Sequence, residues 1–118
     1  MSTASDFSHE INDFAAFTER MWFSSSAPGV VTQERDLPIM SLGLAGETGE
    51  VVEHIKKLIR DGHIDVDELK KELGDVIYYW ARICRYFKLW PTDVIRANVE
   101  KLESRRARGK LRGDGDNR

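Results

Sequence analysis

The chain has one cysteine, three prolines and few aromatic residues, 9% of its 118 positions. A single thiol, Cys84, cannot close an internal disulfide, which excludes a disulfide-stapled scaffold and fits a reducing compartment. In its apolar helical setting it reads as a small buried hydrophobe. No apolar run approaches the roughly twenty residues that a membrane helix needs, so no membrane partner is expected. The opening MSTASDFSHE has neither a basic segment nor an apolar one, so a cytoplasmic location is expected. An excess of one charge is also missing. With 18 basic and 20 acidic side chains the formal charge is −2, too weak a field to steer the whole molecule to nucleic acid. The balance is uneven along the chain: residues 101–118 carry seven Lys/Arg against three acids, a local +4 that leaves −6 on residues 1–100.

What is present is an ordinary globular composition, 41% hydrophobic and 32% charged, in a chain long enough for one core. Strand-like alternation between turn residues is absent, and apolar positions recur at steps of three and four. Phe7, Ile11, Phe14, Thr18, Met21 and Trp22, behind a cap at Asp6, predict a first helix over about 6–22. The polar stretch SSSAPGVVTQERD then predicts a long loop of the kind that serves as a lid. Asp36 is the expected cap of a second helix over about 37–60, whose first turn tolerates Pro38. Gly62 ends it, and Asp65 with Glu68 reads as a capping box opening a third helix rich in apolar residues as far as Phe87. Leu89-Trp90-Pro91 breaks that helix, and Val94, Ile95, Val99 and Leu102 support a fourth over about 92–106. The prediction is an all-α, four-helix bundle over residues 1–108 with a basic, glycine-containing tail at 109–118. Its apolar faces are wider than four short helices can cover, which implies a homo-oligomer.

Glu47 and Glu50 on the second helix and Glu72 and Asp75 on the third are each three residues apart, hence on one helical face. Around a hairpin centred on Gly62, the first pair lies about 14 residues before the turn and the second about 11 after; at roughly 1.5 Å per residue the mismatch is about 5 Å. Four carboxylates can thus converge on one point. Like charges that close oppose one another's ionisation, and a divalent cation removes the conflict. Oxygen-only ligands suit Mg²⁺, or Mn²⁺, rather than zinc. Taken singly, either pair is also what a solvated helix face offers to Lys56, Lys57, Lys70 and Lys71. Gly43, Gly46, Gly49 and Gly74, each costing roughly 1 kcal/mol in a helix interior, argue for close backbone approach around the acids. His54, four residues after Glu50, reads as a partner supporting one of the acids from outside or, more commonly for a lone His beside acids, a surface ion pair.

The strings GLAGETGEVVEHIKK, KKELGDVIYYWARIC and VIRANVEKLESRRARGKLRGDGDNR resemble the MazG-like all-α nucleotide pyrophosphohydrolases over about residues 37–118. The motif carrying the resemblance is E-x-x-E on one helix and E-x-x-D on the next, here Glu47, Glu50, Glu72 and Asp75. Many members have a further Glu where this chain has Gly46, so one carboxylate fewer is available. The resemblance implies Mg²⁺ held by those four acids, and hydrolysis of a nucleoside triphosphate to the monophosphate and pyrophosphate; deoxynucleoside triphosphates are the expected substrates. It also implies a dimer or a dimer of dimers. Glu47 or Glu50 is the expected proton acceptor for the attacking water. Asn98, Lys101 and Arg105, on one face of the fourth helix, are expected at the phosphates. Tyr79, one turn beyond Asp75, and Trp22, beside the long loop, are expected at the sugar and base. Phosphoribosyl-ATP and dUTP are alternative substrates of the same chemistry. A different class of function, an oligomerisation module whose basic tail binds nucleic acid, conflicts with the −6 body and the four acids in register.

Overall fold

The computed structural model of the chain describes residues 4–22, 33–109, 113 and 115, with the backbone alone at 4–8 and 33. Four helices follow in order: α1 (Ala4–Met21), α2 (Gln33–Asp61), α3 (Val66–Tyr86) and α4 (Pro91–Ala107). No strand occurs among the described residues, and the all-α class is the observed one.

The ends of the helices follow local chemistry. Gly62, at φ +81°, turns the chain out of α2, and its N–H bonds the Leu58 carbonyl at 2.8 Å. The Asp65 carboxylate accepts the Glu68 N–H at 3.1 Å and caps α3. Lys88, at φ +60°, and Pro91 at the first position of α4 separate the last two helices.

Two expected caps are corrected. α1 starts at Ala4, so Asp6 lies within its first turn. α2 starts at Gln33 rather than 37, placing Asp36 inside the helix, where it is buried. The longer α2 is admissible because Pro38 near the N-terminus forfeits only one intrahelical N–H, while Glu34 and Asp36 sit favourably against the positive end of the helix dipole. The stretch 23–32, which holds most of the expected lid loop, lies outside the described residues.

α3 is the central element. It pairs most extensively with α2 and also touches α1 and α4, whereas α2 makes no contact with α4. Among the described residues the buried apolar set is small: Ala15, Met40, Ala81, Cys84 and Pro91. Burial pushes the Cys84 thiol pKa up, as expected of an inert core cysteine. On the α1 side, Arg82 donates to Thr18 Oγ1 at 3.4 Å, Arg85 pairs with Glu19, and both Thr92 N–H and Thr92 O–H reach Asn12 Oδ1. Met21, expected on the inner stripe of α1, is half exposed.

Candidate metal centre

The α2–α3 hairpin sets the geometry. On α2, Glu47 and His54 are seven residues apart and therefore nearly on one stripe, with Glu50 set off to the side. On α3, Glu72 and Tyr79 have the same relation, with Asp75 between them. One carboxylate oxygen from each of Glu47, Glu72 and Asp75 lies within 4.8 Å of the other two. Glu47 and Glu72 are half-buried and Asp75 is exposed. Glu50 is exposed and stands outside this three-oxygen group, but its charge acts on Glu47.

The electrostatics record the crowding. Partial burial, a hydrogen bond with Glu72, and the charges of Asp75, Glu72 and Glu50 all hold the Glu47 carboxyl above the usual Glu range. A hard divalent cation among these oxygens would remove the repulsion, so the donor set fits Mg²⁺ or Mn²⁺.

Close backbone approach occurs at one of the four glycines. A Cβ on Gly43 would lie 2.3 Å from Tyr79 Cε1, so the half-buried Tyr79 ring occupies the place of that side chain. Gly46, Gly49 and Gly74 have nothing within 4 Å of an added Cβ, which corrects the expectation that all four mark close packing. They leave open ground beside the acids instead.

Trp22 is half-buried at the end of α1, with the Arg82 guanidinium 5.7 Å from its ring centroid. Among the described residues its buried Nε1 has no hydrogen-bond partner, nor do Arg82 Nε and Asp36 Oδ1. The burial of Arg82, and of Asp36 expected as a cap, has no local sequence signal. Arg82 lies on the α3 face opposite Trp80, where a charge reads as solvated, and its burial depends on tertiary packing. Of the three polar residues expected at the phosphates, Asn98 is exposed and Lys101 half-buried, whereas Arg105 is buried and donates from Nη2 to the Gly115 carbonyl at 3.2 Å. The helix carrying them, α4, does not touch α2, the helix of Glu47 and Glu50. His54 is placed beside the cluster, with Nε2 3.9 Å from Glu72 Oε1.

No described helix is long and apolar enough to cross a membrane. Gene 37 protein of Mycobacterium phage L5 is 41% identical to this chain over 87 residues, covering 70% of the chain and 76% of that protein. No solved structure matches. The MazG nucleotide pyrophosphohydrolase domain matches residues 37–109, the stretch that contains both halves of the carboxylate hairpin. The chain therefore belongs to the MazG nucleotide pyrophosphohydrolase domain family.

Proposed function

We propose that the chain is a Mg²⁺-dependent hydrolase that converts nucleoside triphosphates, deoxynucleotides included, to the monophosphate and pyrophosphate. The observation that carries this reading is the convergence of Glu47, Glu72 and Asp75 on one point of the family-matched hairpin. Glu47, Glu72 and Asp75 are the proposed metal ligands, with Glu50 one turn away completing the set on α2. The bound cation supplies neutralisation of the triphosphate oxygens and acidifies water for in-line attack. Glu47 or Glu50 takes the proton from that water through an oxygen not engaged elsewhere. Tyr79 packs against the sugar or base, and Trp22 stacks from the α1 side. Asn98 and Lys101 meet the phosphates, and Arg105 joins them when it exchanges its bond to Gly115. Residues 109–118 act as a basic tail to this catalytic domain.

Self-association is part of the proposal. The radius of gyration is 17.3 Å, whereas a compact domain of this length has about 13 Å. Val52, Ile55 and Ile59 on α2 and Leu73 and Ile77 on α3 are between 41% and 81% exposed, beyond what a solitary small domain leaves in water. A second copy is the proposed cover.

The test is pyrophosphate release from a panel of ribo- and deoxyribonucleoside triphosphates, dUTP and phosphoribosyl-ATP included, with and without Mg²⁺. Metal-dependent release with the monophosphate as co-product is expected. No turnover of any of them overturns the activity.

A further inference from the structure

We propose that His54 is a positioning residue for Glu72, holding that carboxylate in its metal-binding orientation. The inference rests on the metal-centre reading above and concerns a side chain outside the carboxylate motif.

Glu72 lies between two residues of the same α2 stripe. Glu47, hydrogen-bonded to it, stands on one side, and His54, with Nε2 3.9 Å from Glu72 Oε1, stands on the other. Both members of the His54–Glu72 contact are sheltered, 18% and 20% exposed. Among the described residues no Lys or Arg forms an ion pair with Glu72, and the nearby Lys71 is engaged with Glu68 at 3.0 Å. A carboxylate that gives one oxygen to a cation keeps its orientation only if a donor holds it from outside, and such outer partners tune affinity strongly. An imidazole protonated at Nε2 is that donor. The 3.9 Å separation exceeds a hydrogen bond by roughly 1 Å, a gap that a small shift of the Glu72 carboxylate would close.

Mn²⁺ alone, without nucleotide, is titrated calorimetrically into the full chain and into His54→Leu and His54→Gln. His54→Leu should weaken Mn²⁺ binding by roughly tenfold, with an unchanged helical circular dichroism spectrum. His54→Gln, which retains an N–H donor at similar reach, should recover most of the affinity. In turnover, His54→Leu should raise the Mg²⁺ concentration needed for half-maximal rate while the rate at saturating Mg²⁺ stays near that of the unaltered chain. Unchanged Mn²⁺ affinity in a folded His54→Leu chain overturns the positioning role and leaves the metal centre standing, as does a His54→Gln chain no better than His54→Leu. If the unaltered chain binds no Mn²⁺, the metal centre itself falls and the role of His54 with it.

Discussion

The two sides of α3 serve different ends. Toward α2 it presents Glu72, Asp75 and Tyr79 to the helix that precedes it across one short turn. Toward α1 and α4 it presents Ile77 and Trp80 to a groove of about 260 Å³ that it shares with Ile11, Phe14 and Ile95. The first side is built from chain-adjacent helices whose register is set by Gly62 and the Asp65 cap. The second brings α1, distant in sequence, against α3 and α4 through a few polar bonds and an incompletely filled apolar groove. The acidic cluster lies where the local sequence fixes geometry, and adaptable packing where it does not.

The largest effect should come from the α2 side. Asp75→Asn removes a ligand oxygen's charge without changing volume, and Mg²⁺-dependent turnover should fall by about a thousandfold or more, in the range lost with a catalytic group. The fold should persist, since the substitution lowers acid repulsion in the metal-free chain. Turnover within a few fold of the unaltered chain would break the assignment of chemistry to the hairpin.

A second break addresses the uncovered faces. Ile55→Lys places a charge among exposed apolar residues of α2 and should convert the assembly to single chains, read as a halved or quartered mass by light scattering. A mass equal to one chain before any substitution would show instead that the expanded 17.3 Å form stands alone.

Much of the hairpin was legible in the sequence. The Asp65–Glu68 spacing, Gly62 and the three-residue separations are local signals, and they place Glu47, Glu72 and Asp75 on facing stripes. What stayed out of reach depended on tertiary packing. Asp36 reads as a cap because Asp before an apolar helix commonly is one, yet the helix extends one turn further and buries it. Arg82 reads as a solvated charge, and its neighbours Thr18 and Trp22 lie more than fifty residues away. The glycines are alike in sequence, and only the Tyr79 ring distinguishes Gly43 from Gly46 and Gly49.

That distinction gives a paired test of smaller size. Gly46→Ala meets open space and should stabilise by up to about 1 kcal/mol through helix propensity. Gly43→Ala forces the Tyr79 ring from its place, and overpacking of about 1–3 kcal/mol should outweigh the same gain. Thermal denaturation separates the two, and equal stabilisation by both would show that the Tyr79 ring yields freely.

The smallest effect is a pH dependence of the metal-free chain, and its sign is definite. Burial first, then the bond to Glu72 and the neighbouring charges, raises the Glu47 pKa above its ordinary 4.5. Above the raised value Glu47 is ionised in the folded and unfolded states alike, and its repulsion by Glu72 and Asp75 weakens the fold. As pH falls through that value the folded chain takes up a proton that the unfolded chain does not, so stability rises and levels off below about 4.5. Glu53 and Asp61, whose exposed carboxylates are held below their usual range by Lys56 and Arg60, act in the opposite direction at lower pH. Glu47→Gln isolates the effect: the difference in melting temperature between it and the unaltered chain should change across this window by less than about 4 °C, the shift for 1 kcal/mol in a domain of this size. Saturating Mn²⁺ should reverse the sign, because the cation binds the deprotonated carboxylate and a falling pH then competes with it. A difference that is flat with pH in both conditions would separate Glu47 from the acidic cluster and remove the basis for setting the α2 side of α3 apart from its packing side.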